Sequence, residues 1–155
     1  KINGRDFIEN GLTADDAAMA VRLMAAAGVD AVELSGGTII SGKLSPSRSR
    51  INAPEKEAYF REEAQILREA INLPLILVGG NRSFAVSDLL VTDGTADYIS
   101  MSRPFIREPE LIRRWQGGDR RPAACISDNL CFAPALEGRG VYCVTREREL
   151  QKKEA

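Results

Sequence analysis

Three groups of residues in this chain have the types and spacing to do chemistry. The first is Gly79-Gly80-Asn81, closed three residues on by Ser83. Two glycines let the backbone approach a ligand closely, and the N–H groups of a following helix favour an anion such as phosphate. The second is Arg103, directly after an apolar run and before Pro104, where a guanidinium could fork onto phosphate oxygens. The third is Cys125, Cys131 and Cys143, with Asp128 between the first two. Thiolates at these spacings could hold an iron–sulfur cluster with Asp128 as an unusual oxygen ligand. Three cysteines are one short of the usual set, so buried, inert thiols are the competing reading and no cluster is expected.

Other chemistry is excluded by what the chain lacks. Zero histidines among 155 residues remove the Ser-His-Asp triad, the Cys-His dyad and the two-His zinc motifs. There is no Walker loop and no G-x-G-x-x-G fingerprint. Asp15-Asp16 and Glu62-Glu63 fall on helix exteriors and are expected to be solvated. With 21 Lys+Arg against 22 Asp+Glu, the net charge of −1 gives no general attraction to nucleic acid or to an anionic membrane. No run approaches the roughly 20 apolar residues of a membrane span. An odd cysteine number without a charged-then-apolar leader suggests a reducing, cytoplasmic setting.

The elements that must position these residues alternate short apolar strands with amphipathic helices, the pattern of parallel β/α units. Thr13 and Asp16 predict a capping box, and Ala17, Val21, Met24 and Gly28 a helical face. A strand is expected over 30–35, then a long polar loop over 36–53. Pro54 suits a first helical position, and Phe60, Ala64, Leu67 and Ile71 form one stripe. Pro74 to Val78 reads as a strand covered on both faces. Ser83 can cap a short helix carrying Phe84, Leu89 and Leu90. Asp97 to Met101 is the next strand, and Pro109 opens a helix through Leu111, Ile112 and Trp115. With Lys1-Ile2-Asn3 as a strand stub, the count is four β/α units over 1–118. Residues 119–155 are expected as an irregular cysteine-containing tail with a charged C-terminal helix. An open doubly wound sheet or half of an eight-fold barrel satisfies this order, and both bind ligands at the C-terminal ends of strands. There lie Asn3-Gly4, Ser35-Gly36-Gly37, Gly79-Gly80-Asn81 and Ser102-Arg103.

Five strings carry a further reading: KINGRDFIENGLT, AGVDAVELSGG, PLILVGGNRS, ADYISMSRPFIREPELIRRW and CISDNLCFAPALEGRGVYC. In order and spacing they resemble the C-terminal half of the old yellow enzyme family, the NADH:flavin oxidoreductases. Ser102 stands where that family usually has Gly. The resemblance implies a TIM-type (β/α)8 barrel carrying FMN, with this chain supplying strands five to eight. It also implies NAD(P)H as reductant and a small-molecule acceptor. Lys1 would place a positive charge near flavin N1/O2. Gly79, Gly80 and Asn81 would line the phosphate through backbone groups. Ser102 would add a backbone N–H, and Arg103 would touch the phosphate and the ring edge. The cysteine segment is similar to the cluster-binding stretch of larger members, except that Asp128 replaces their second Cys. The family's carbonyl-holding His pair and Tyr proton donor belong to the first half of the barrel, so no catalytic acid is expected here. A chain opening in mid-element on Lys1 is expected to be a piece. Such a half would associate with its missing N-terminal partner or with a second copy, since open strand edges seek partners. A non-catalytic phosphate- or flavin-binding module, or a structural half-barrel that self-associates, is the alternative.

Overall fold

The computed structural model describes residues 1–154. Its four strands are β1 (Ile2–Asn3), β2 (Val32–Ser35), β3 (Leu75–Leu77) and β4 (Tyr98–Ile99). All pair in parallel, in the spatial order β1-β2-β3-β4. The alternating pattern therefore does produce an α/β fold on a parallel sheet. Helices α1 (Ala14–Ala26), α2 (Arg61–Ala70) and α3 (Phe84–Thr92) make the crossovers. After β4 come α4 (Arg103–Arg107), α5 (Leu111–Gln116), α6 (Phe132–Leu136) and α7 (Val144–Glu154). No described helix is long and apolar enough to cross a membrane.

Register divides the side chains into two faces. Ile2, Leu34, Leu77 and Ile99 stand in one row, with Val32 and Leu75 below. This row meets α1 and α2, and Leu34, Leu75 and Leu77 are fully buried with Val21, Phe60, Ala64 and Leu67. The opposite face carries Glu33, Ile76 and Tyr98 in register, and Tyr98 is 62 % exposed. The run around β3 is thus buried on one side, not on both as its unbroken hydrophobicity suggests.

Helix starts follow local chemistry closely where the cap is local. The Thr13 and Asp16 capping box forms as expected. The buried face of α1 is Ala14, Ala17, Ala18 and Val21, whereas Met24 turns outward. Pro54 opens only a single 3₁₀ turn, Pro54–Lys56, and α2 begins later at Arg61. The expected stripe of Phe60, Ala64, Leu67 and Ile71 is nevertheless buried. The strand expected over 97–101 pairs only at Tyr98–Ile99, and α4 starts straight after it. Beyond α5, the tail packs back: Ala123 is buried with Leu111 and Trp115, and the indole Nε1 of Trp115 donates to Arg121 O. Phe60 is the largest fully buried side chain and touches strands and helices alike. Phe60→Ala is expected to cost about 3–5 kcal/mol, read as a shift in urea midpoint at unchanged slope.

Candidate functional site

The C-terminal ends of β3 and β4 lie side by side, so Gly79-Gly80-Asn81 and Ser102-Arg103 meet. Gly80, Asn81, Ser102 and Arg103 line one pocket of about 100 Å³, together with Tyr59, Ser100 and residues of the loop after β2. Among the described residues, the backbone N–H groups of Gly80, Asn81, Ser102 and Arg103 donate to nothing in the protein. Clustered free donors of this kind suit an anion.

Gly80 sits at φ +77°, and a Cβ there would lie 2.6 Å from Cε1 of the Tyr59 ring. Its lack of a side chain is thus required by an aromatic neighbour as well as by the turn. Tyr59 is fixed in turn, its N–H donating to Gly79 O and its hydroxyl to Pro46 O. Burial, more than the opposing pull of Arg103 and Arg48, pushes the Tyr59 phenol above its ordinary pKa. Asn81 is 2 % exposed, and its side-chain amide donates to Leu77 O at 2.9 Å and Ser100 O at 3.4 Å. Its amide nitrogen therefore ties β3 to the end of β4, while its buried Oδ1 has no hydrogen-bond partner.

The turn into α3 is held by an acid of the protein itself. The carboxylate of Glu57, itself buried, accepts from the N–H of Arg82 and of Ser83 at 2.9 Å each, and from the Ser83 hydroxyl at 2.6 Å. Ser83 precedes α3 but makes no side-chain cap; its hydroxyl goes to Glu57 instead. The N–H groups of the turn just before α3, Arg82 and Ser83, are thus spent within the protein. The Arg103 guanidinium is nearly buried, its Nη1 donating to Arg48 O and to Asn129 Oδ1. Asn129 in turn donates to Ser47 O, which pins the cysteine-containing tail over the loop after β2. Sequence reading missed Glu57 and Asn129, and it took Glu63 for a solvated acid although the structure buries it. The signal for Glu57 was weak: one acid just before the buried stripe that begins at Phe60.

Lys1 stands apart from this pocket, on the face of the sheet away from the helices. Its Nζ lies 3.1 Å from Glu33 Oε1, which also accepts from the Ser100 hydroxyl at 2.9 Å. Burial pushes the Glu33 carboxyl up, but the hydrogen bonds from Lys1 and Ser100 outweigh it and hold it below its usual range. The four cluster candidates do not converge. Cys125 and Cys131 are buried, and Cys143 lies 3.9 Å from the Arg107 guanidinium. Asp128 accepts from the Thr145 hydroxyl and from Leu130 N–H. Among the described residues, no three His, Cys, Asp or Glu side chains are grouped to hold a metal ion. Burial, then the neighbouring Cys125, raises the Cys131 thiol above its ordinary pKa.

The family model of the NADH:flavin oxidoreductase / NADH oxidase family matches residues 1–121. The chain belongs to that family. A 4,4'-dithiodibutanoate disulfide reductase of Rhodococcus erythropolis is 25 % identical over 95 % of this chain and 42 % of its own length. The chain thus spans about two fifths of that relative. Among solved structures, a 2-naphthoyl-CoA reductase complex superposes with a TM-score of 0.66 at 23 % identity, covering 80 % of this chain and 19 % of the other. An old yellow enzyme homologue from Zymomonas mobilis gives 0.50 at 18 % identity, over 75 % and 30 %. These two likenesses show the fold; the family rests on the match over residues 1–121.

Two outcomes follow from the geometry. Glu57→Ala strands three donors, the two of Ser83 buried, and is expected to destabilise the protein by about 3 kcal/mol in urea unfolding, with Glu57→Gln milder because its amide oxygen still accepts. Glu33 is expected to titrate below the unfolded value of about 4.3, followed by carbon-13 NMR of its carboxyl, and to rise in Lys1→Gln. Because the folded pKa is the lower one, this stabilisation is complete above about pH 4.3 and is lost as pH falls through the folded value.

Proposed function

We propose that this chain is the C-terminal half-barrel, strands five to eight, of an FMN-dependent NAD(P)H oxidoreductase. The observation that carries this reading is the set of free N–H donors at Gly80, Asn81, Ser102 and Arg103 around one pocket at adjacent strand ends. That donor set fits a phosphate, and β/α barrels commonly build a phosphate site at the last two strands. Family membership supplies the flavin and the nicotinamide.

Bound FMN would supply hydride transfer between a nicotinamide and a small electron-poor acceptor. The residues of this chain bind and orient it. Gly80, Asn81 and Ser102 would hold the phosphate through their main chain, with Gly79 shaping the turn. Arg103 would add charge from the pocket wall, kept in place by Asn129 and Arg48 O. Lys1 would stand toward the ring, its charge paired with Glu33. No residue here is assigned as the catalytic acid: the chain has no His, and the Tyr59 hydroxyl is spent on Pro46 O. The same facts favour a second reading, a flavin-binding unit that does not turn over by itself. In either case the face carrying Glu33, Ile76 and Tyr98 would be covered by the first half of the barrel or by a second copy.

The test is the affinity of the purified chain for FMN and for riboflavin, followed by flavin fluorescence. FMN is expected to bind at least tenfold tighter, and Arg103→Gln to reduce that preference while leaving riboflavin unchanged. Equal affinities for the two flavins would remove the phosphate site and with it the reading.

A further inference from the structure

The loop between β2 and α2 has an unusual charge. Across residues 36–53 it carries Lys43, Arg48 and Arg50 and no Asp or Glu, in a chain that is otherwise balanced. The three cations converge on one cleft of about 680 Å³, whose other lining residues are Gly42, Ser45, Ser47, Ser49 and Asn129. That volume is of small-molecule size. No carboxylate lines it, although Lys43 and Arg48 also border the adjoining cleft that holds Glu55, Glu57, Glu62 and Glu63. Among the described residues, Lys43, Arg48 and Arg50 enter no ion pair.

Arg48 is the most telling of the three. Its guanidinium lies 4.4 Å from the centre of the Tyr59 ring, with Phe7 and Phe60 at 5.2 and 5.3 Å. Its Nε and Nη2 are buried without a hydrogen-bond partner. Burial lowers the Arg48 pKa against the attraction of Tyr59 and Glu63. Glu63 lies 3.5 Å from Arg5 Nε and accepts no hydrogen bond from Arg48. The half-buried Arg48 guanidinium is thus held on rings with two of its nitrogens unpaired, at the edge of the cleft that its residue lines.

We propose that this cleft binds the phosphate monoester of a nucleotide-tailed substrate, a second anion site distinct from the one at Gly80 and Ser102. Such a group carries about −1.5 to −2 charge and three strong acceptors near pH 7, which three cations and a ring of hydroxyls match. Guanidinium is suited to phosphate by its planar fork. Ser47 lines both this cleft and the first pocket, and Asn129 joins them by bonding Ser47 O and Arg103. The two anion sites thus share one wall, made by Ser47 and the Asn129 bridge. The proposal rests on the flavin-enzyme reading only for the source of the phosphate, which is either the hydride donor or the acceptor.

Two ligand pairs differ by one monoester: NADP⁺ against NAD⁺, and coenzyme A against dephospho-coenzyme A. Calorimetry on the full chain is expected to show the phosphorylated member of at least one pair binding tenfold or more tighter. The pair that discriminates identifies the source. Lys43→Gln combined with Arg50→Gln, both at exposed positions, is expected to abolish the preference without changing FMN affinity. Absence of a preference in both pairs overturns the proposal, as does a preference that survives the double substitution. A preference that is present in a chain that does not bind FMN upholds the cleft and defeats the flavin reading, so the two failures are distinguishable.

Discussion

The carboxylate of Glu57 is the interaction on which the candidate site depends. A buried acid is costly unless its oxygens are fully hydrogen-bonded, and here three donors from the start of α3 meet them. By taking the N–H groups of Arg82 and Ser83, Glu57 fixes the turn that presents Gly80 and Asn81. Arg82 itself is half-buried, its guanidinium donating to Ile51 O and Ala123 O. One acid thereby orders the loop before α2, the first turn of α3 and the start of the tail. Beside that turn, the N–H donors of the two strand ends at Gly80, Asn81, Ser102 and Arg103 remain free.

How much of this the sequence reveals depends on how local each interaction is. The Thr13 and Asp16 capping box spans three residues, and it is read correctly. The stripe from Phe60 to Ile71 repeats at helical spacing and is buried as expected. Pro54 misleads because the chain must leave the helical path at Glu57 for that side chain to reach α3. Met24 misleads because the end of α1 runs past the core it covers. Glycines after β3 are legible as a turn, yet that Tyr59 is what Gly80 must clear is not. The partners of Arg103 are 55 and 26 residues away in the chain, beyond any pattern of spacing.

Period-two alternation carries one more consequence. In β2 the order Val32, Glu33, Leu34 places an acid between two buried aliphatics, so Glu33 must face away from the helices. There it is neutralised by Lys1 across the β1–β2 pair and accepts from Ser100 at the end of β4. Lys1 precedes β1 and Ser100 follows β4, the two edge strands, so Glu33 links both edges of the sheet on its open face. A solvent-facing sheet would gain little from such a bridge, since exposed ion pairs contribute weakly. A sheet face enclosed within a barrel would gain more, because lower dielectric strengthens the attraction while both charges stay paired. The polar lining of that face, with Tyr98 still uncovered, therefore agrees with the half-barrel reading and with a ligand, not an apolar core, as what the face is built to meet.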